Sequence, residues 1–460
     1  MPTRFSKLFD RPRAAMLISI TMALSIPPLP QSSRINSAGN LEVAGCDVVE
    51  LAREFGTPLF VYDEEQIRQR CRDYRRAFSE RTDNFEIVYA SKAFSCIALC
   101  QLIGQEGLSL DVASGGELHT ALKAWFPPEN LYLHGNANTR EELERSVRNE
   151  VGQVVVDSLD EMTALDEIAR AQGKSQRILL RITPGIEAHT HDFIQTGKLG
   201  SKFGFCLADG VAEQAVRLAM NAANLELTGL HCHIGSQIFE LEPYAKAIGV
   251  LADFAAAGAD KHGFTCDLLD VGGGLGVAYT AAEEPAGVDE LAEVIVGGIN
   301  AEFARVGLPI PRIIVEPGRS IVANAGLTVY TIETVKTIPD VKTYVAVNGG
   351  MSDNMRPMLY GARYEALIAS RPDAQATINV AIAGKHCESG DILVKETGLP
   401  DPQPGDMLVT PCTGAYGYSM ASNYNGQTRP AVIFVKQAKT RVIIHRETYE
   451  DLVHLQERLE

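Results

Sequence analysis

The sequence predicts an α/β protein: a (β/α)8 barrel of the TIM type followed by a C-terminal β-barrel or sandwich domain. Three observations carry this reading. Short β-branched runs alternate with amphipathic stretches eight times between residues 85 and 316. Each run ends in a polar or glycine cluster, as strands do when a closed parallel barrel presents their C-terminal ends to one pocket. After Ser320 the helical periodicity fades, and short strands punctuated by Gly and Pro take over.

Taken in order, the barrel strands are expected at 85–90, 108–112, 131–134, 154–157, 177–182, 227–233, 266–271 and 312–316. Amphipathic helices are expected between them, at 116–125, 140–149, 159–172 and 210–222 among others. An open doubly wound sheet shares the alternation but usually has fewer units, so eight units favour the barrel. Further strands are expected at 328–334, 343–347, 378–382, 407–409 and 431–436, and a run at 58–61 could join them. The resulting division is an N-terminal extension over 1–32, strands over 33–62 that join the β domain, the barrel over 63–320 and the β domain over 321–460.

The extension has its own character. Arg4, Lys7, Arg11 and Arg13 precede an apolar stretch over 14–26, shaped like a signal-peptide core and too short to cross a bilayer as a helix. No small-residue cleavage site follows at Pro27-Pro28-Leu29-Pro30, and Met16 and Met22 lie inside the stretch. Residues 1–32 are therefore expected to be disordered or processed and are left out of the fold.

Composition narrows the function. With 460 residues, 45% hydrophobic and 22% charged, the chain matches an ordinary globular enzyme large enough for two domains. Lys+Arg 42 against Asp+Glu 58 gives a net charge of −16, with no basic block to neutralise phosphates, so nucleic acid is not an expected partner. The nine cysteines show no CxxC spacing. That argues against zinc sites and redox pairs and for a reduced, cytoplasmic protein.

The chemistry gathers at the strand ends. The first strand delivers Lys92; later ends carry Asp111, His134, Asp157, His231 and His233 with Ser236. The seventh is followed by Gly272-Gly273-Gly274 and the eighth by Glu316-Pro317-Gly318-Arg319. Loops after strands seven and eight form the usual phosphate site of this fold, and consecutive glycines let backbone N–H groups approach an anion. A glycine run alone reads equally as a tight turn, a barrel histidine as a packed residue and Glu316 as an ion pair. On one rim they match the needs of pyridoxal phosphate: a Schiff-base lysine (Lys92), a phosphate cradle, a flat ring to stack (His233) and a carboxylate for the pyridine nitrogen (Glu316).

The motifs VYASKA, DVASGGEL, SKFGF, GLHCHIGSQ, DVGGGLG, EPGRSIVANAG, MRPMLYGA, CESGD and GAYGYSMASNYN together resemble the diaminopimelate decarboxylases. These belong to the alanine-racemase-like, fold-type III pyridoxal-phosphate enzymes, and the likeness runs from about Gly56 to near the C-terminus. It implies that Lys92 bonds the cofactor, that His233 stacks on it and Ser236 binds its phosphate, and that Gly274, Glu316, Pro317, Gly318 and Arg319 complete the cradle. It further implies that Arg319, Arg356 and Tyr360 hold the substrate's distal end, and that Tyr416 touches both cofactor and substrate. Cys387 would be the proton donor and Glu388 would bind the distal ammonium, their loop reaching across a homodimer into the neighbour's site. The implied reaction converts meso-2,6-diaminopimelate to L-lysine and carbon dioxide, the last step of lysine biosynthesis, with no metal and no membrane partner.

A decarboxylase for ornithine or arginine is the nearest alternative, but those substrates lack the distal carboxylate that would occupy Arg356. A racemase would want a cation rather than Glu316 at the ring nitrogen, and a catalytically dead regulator would have lost Lys92 or Cys387. Two positions depart from the family pattern: Asn348 stands where Asp is usual, and Gly384-Lys385-His386 precedes CESGD where Gly-Pro is common.

Overall fold

The structure, a computed structural model, describes residues 28–186, 201–208 and 210–459. Eight parallel strands form the barrel: β1 Phe85–Ala90, β2 Ser109–Val112, β3 Leu131–Leu133, β4 Gln153–Val156, β5 Gln176–Thr183, β6 Leu225–His231, β7 Leu268–Asp270 and β8 Arg312–Val315. Each pairs in parallel with its neighbours in chain order, and β8 closes onto β1 through Ile313↔Phe85. The expected strands fall on these eight, displaced by no more than two residues at any end.

Side chains fill the interior. Val88, Tyr132, Val155, Leu179, Leu268 and Ile314, from six of the strands, form one buried layer across the barrel. Each aliphatic member contributes roughly 1.5–3 kcal/mol by leaving water. Gly229 in β6 shows how tight the closure is: a Cβ there would lie 1.9 Å from the Leu268 carbonyl oxygen.

Helix starts are written into the loops that follow the strands. Ser114, Thr139 and Ser158 accept from the backbone N–H of Glu117, Glu142 and Glu161, capping helices Gly115–Lys123, Arg140–Arg148 and Leu159–Ala171. At Thr139 the Glu142 carboxylate reaches back to the Thr139 N–H, a full capping box.

The second domain is a sheet in the order Ile392–Leu399, Ile378–Ala383, Lys342–Val347, Gly326–Ile338, Leu59–Asp63, Ala431–Lys436, Lys439–Ile444. Met407–Pro411 also pairs with Gly326–Ile338. Leu59–Asp63 runs antiparallel to Gly326–Ile338 and parallel to Ala431–Lys436, and all five of its residues are buried. The strands at Ile392–Leu399 and Lys439–Ile444 were not anticipated from the sequence; of the strands expected over 33–62, Leu59–Asp63 joins the β domain, while Arg34–Ile35, Leu41–Val43 and Cys46–Asp47 pair into a small three-stranded sheet of their own.

Of the extension expected over 1–32, residues 1–27 lie outside those described. Residues 28–32 are packed: Leu29 is buried, and the Gln31 N–H donates to Gln66 Oε1 at 2.7 Å. Among the described residues, no helix is long and apolar enough to cross a membrane.

Candidate active site

The site lies where the barrel's C-terminal rim meets a loop of the β domain. Lys92 occupies a single 3-10 turn, Ser91–Ala93, directly after β1. The main-chain N–H of Tyr416 and the hydroxyl of Ser419 both donate to the Ala93 carbonyl, at 2.8 and 3.0 Å. Tyr62, in the strand Leu59–Asp63, stacks on Phe94 with ring centroids 4.7 Å apart. The β domain therefore grips the lysine turn from two sides.

Lys92 Nζ donates to Asp111 Oδ2 at 3.3 Å, and Asp111 is fully buried at the end of β2. Burial draws the ammonium's pKa down, but the charges of Asp111 and then Glu316 outweigh it and hold the group above the ordinary lysine value. The amine is a cation pinned at the mouth of the barrel.

Behind it, Glu316 follows β8 and is buried. His134 Nε2 lies 2.8 Å from Glu316 Oε1 and His231 Nε2 lies 3.3 Å from Oε2. Burial works against the carboxylate charge; His134 and then His231 overcome it and hold Glu316 well below the usual range. Asp270 at the end of β7 is driven the other way, well above the ordinary carboxylate range, by burial and then by the Glu316 charge. Burial lowers His231 to about 4, so it meets Glu316 as a neutral imidazole near neutral pH. His134, His231 and Asp111 stand at strand ends in the sequence without a role that their neighbours signal, and nothing local marks Asp270. The ligand atoms of His134, His231 and Glu316 lie within 4.8 Å of one another, a spacing that could also hold a cation.

A cradle faces this cluster. The Gly273 N–H donates to His233 Nδ1 at 3.3 Å, so that nitrogen is unprotonated; burial, then Lys92, holds His233 well below its ordinary value. A Cβ on Gly273 would meet the Glu316 carbonyl oxygen at 1.9 Å. The loops after β7 and β8 are thus pressed together, with backbone exposed along them. Gly274, Ser236, Gly318 and Tyr416 line the same cavity, and the Pro317 carbonyl accepts from Ala90 N–H at 3.1 Å.

A second cavity of about 410 Å³ adjoins the first through Lys92, His233, Ser236, Arg319 and Tyr416, and opens toward Arg356 and Tyr360. Arg319 donates to Ser236 Oγ at 3.0 and 3.3 Å and to the Tyr279 hydroxyl. Arg356 donates to the Tyr364 hydroxyl at 2.5 Å. Both guanidiniums are about 95% buried, yet neither has a carboxylate partner among the described residues. A buried cation without a counter-ion is costly, so this pair marks a site for a ligand anion.

Cys387 and Glu388 are placed elsewhere. Cys387 is exposed, with its N–H held by Asn425 Oδ1 at 2.8 Å, and Glu388 lines a separate surface cavity beside Lys342 and Met358. Neither reaches the Lys92 cavity of its own chain. The two departures from the family pattern have structural reasons. Asn348 Nδ2 donates to the Thr57 carbonyl and hydroxyl at 3.2 and 2.7 Å, which an aspartate could not do for the carbonyl. His386 is buried against Asp391 at 2.7 Å and stacks on Tyr424.

The residues fit pyridoxal phosphate. Glu316 is a buried carboxylate held well below its ordinary pKa by His134 and His231 against the cost of burial, and it sits behind a backbone cradle that a single Cβ would fill. A barrel with its lysine after the first strand, a glycine loop after the seventh and an ionised carboxylate after the eighth defines the barrel-type pyridoxal-phosphate decarboxylases. Residues 64–323 match the family described as pyridoxal-dependent decarboxylase, pyridoxal binding domain. The diaminopimelate decarboxylase of Bacillus subtilis is 46% identical over 424 residues, 92% of this chain and 97% of that protein. That of Corynebacterium efficiens is 45% identical over 432 residues, covering 93% and 94%. The crystal structure of the diaminopimelate decarboxylase from M. jannaschii in co-complex with L-lysine superposes with a TM-score of 0.86 at 32% identity, over 93% of this chain and 98% of that one. The chain belongs to the diaminopimelate decarboxylase family.

Proposed function

We propose that this chain removes one carboxyl group from meso-2,6-diaminopimelate to give L-lysine and carbon dioxide. The observation that carries the reading is the pair of buried guanidiniums, Arg319 and Arg356, that open with Lys92 onto one cavity and have no carboxylate partner among the described residues. A substrate with a distal carboxylate supplies the missing charge; ornithine and arginine do not.

Pyridoxal phosphate, when bound, supplies an electron sink for the bond to the departing carboxylate. Lys92 would hold its aldehyde, with Asp111 fixing the amine until then. Ser236, Gly274, Gly318 and Arg319 would seat the phosphate, and His233 would lie against the ring face, with Pro317 and Tyr416 closing the cradle. Glu316, kept ionised by its two histidines, would hold a proton on the pyridine nitrogen and so keep the ring electron-poor. Arg319, Arg356, Tyr360 and Tyr416 would orient the substrate's far end.

The remaining two groups would come from a second copy. Cys387 Sγ would deliver a proton to the carbon that loses its carboxylate, and Glu388 would pair with the distal ammonium. Their exposure on this chain supports a homodimer with shared sites. The unpaired state of all nine cysteines supports a cytoplasmic location. We also propose the division into an extension to residue 32, a barrel over 63–320, and a β domain from 33–62 and 321–460.

The test is carbon dioxide release by the purified, cofactor-loaded protein offered meso-diaminopimelate, L-ornithine and L-arginine in parallel. Release from the first alone, abolished in Lys92→Ala, is expected. Turnover of ornithine or arginine at a comparable rate overturns the assignment of the distal site.

A further inference from the structure

Tyr279 lies five residues beyond Gly274 of the glycine loop, behind both guanidiniums, and is itself buried. Its hydroxyl accepts a hydrogen bond from Arg319 Nη1. The face of its ring carries the Arg356 guanidinium, whose central carbon is 4.5 Å from the ring centroid. Its edge meets Tyr364 at 5.2 Å and 80°, and Tyr364 in turn accepts from Arg356. One phenol therefore touches both cations through different parts of the same side chain.

The backbone beneath it is fixed. The Tyr279 N–H donates to Glu283 Oε2 at 2.7 Å, the Ala278 carbonyl accepts from Asn324 at 3.1 Å, and the Val277 carbonyl accepts from Gln237 at 2.6 Å. Two like charges brought together in a dry site repel, and each long side chain has its own rotamer freedom to lose. A rigid aromatic that accepts from one guanidinium and underlies the other offsets both effects before any ligand arrives.

We propose that Tyr279 is a positioning residue that sets the spacing of Arg319 and Arg356, and that this spacing makes the enzyme require a distal carboxylate. The inference rests on the reading of these arginines given above. It assigns to Tyr279 the discrimination between an amino acid that keeps a carboxylate at its far end and an amine that does not.

The probes are L-lysine, which keeps the distal amino-acid head, and 1,5-diaminopentane, which has only the amine. Their affinities are measured by calorimetry on the cofactor-loaded protein, beside kcat and KM for meso-diaminopimelate. Tyr279→Phe keeps the platform under Arg356 and deletes the acceptor for Arg319. It should weaken L-lysine about tenfold and 1,5-diaminopentane less than about twofold, with KM rising about tenfold against about twofold on kcat. Tyr279→Leu removes the platform as well and should weaken L-lysine further; should it fail to fold, Tyr279→Phe decides alone. Variants that keep the parent's preference for L-lysine, or that lose both ligands equally, overturn the proposal while leaving the enzyme assignment standing. A parent protein that releases no carbon dioxide from meso-diaminopimelate overturns the assignment itself.

Discussion

Asp353 shows how a single buried carboxyl ties this structure to pH. It accepts from the Gly350 N–H at 2.9 Å in a turn where Asp391 also accepts from Met351 and His386. Burial pushes its pKa up to about 7 from an ordinary 3.8, and the Asp391 charge adds to this against the Gly350 hydrogen bond. A carboxyl raised in the folded state stabilises fully below its unfolded value and loses that contribution as pH rises through the folded one. The affected window runs from about pH 4 to about pH 7, with a slope of up to about 1.4 kcal/mol per pH unit from this group. Asp353→Asn keeps an acceptor for Gly350 without the titration. Its Tm relative to the parent should therefore rise between pH 5 and pH 7.5, and a difference that does not change with pH would contradict the assignment.

At the scale of elements, the weight falls on the loop after β7. Because a Cβ on Gly273 would intrude on the Glu316 carbonyl at 1.9 Å, Gly273→Ala must push that loop away from the one after β8. The expected result is a loss of pyridoxal-phosphate affinity of at least tenfold, read by absorbance titration, with a lower Tm in the cofactor-free protein. Unchanged affinity would show that the two loops do not jointly form the cradle. This loop was legible in the sequence, as were Lys92 and Glu316, because a buried β-branched run fixes where a strand stops and what it delivers. Tyr279 and Tyr364 were not, since nothing local signals that residues 85 positions apart share a ring contact. Nor was Ile392–Leu399, whose Lys395-Glu396-Thr397-Gly398 segment reads as a loop until pairing with Ile378–Ala383 supplies its hydrogen bonds.

At the scale of the whole molecule, the residues proposed for the site lie on two separate surfaces of the chain. Lys92 and its neighbours sit in one cavity, while Cys387 and Glu388 lie on another surface of the same chain. If a second copy completes each site, Lys92→Ala and Cys387→Ala, each inactive alone, should recover activity when mixed under conditions that exchange subunits. Random pairing puts one intact site in half of the dimers, so the recovery should approach about a quarter of parent activity. No recovery despite demonstrated exchange would place the thiol and the lysine in the same chain's site.

The strand Leu59–Asp63 lies between Gly326–Ile338 and Ala431–Lys436, so the sheet unites segments from opposite ends of the sequence. On a ribosome this has a temporal meaning. At roughly 5–20 residues per second, the strand waits on the order of 10–50 s for its first partner, and longer for its second. Every barrel pairing but the closing one, β8 onto β1, joins strands adjacent in sequence, and all eight strands are made before Gly326–Ile338. Tyr416, which caps the lysine turn, emerges only after the barrel is complete. Assembly of the contacts that grip the lysine turn is then coupled to the end of synthesis.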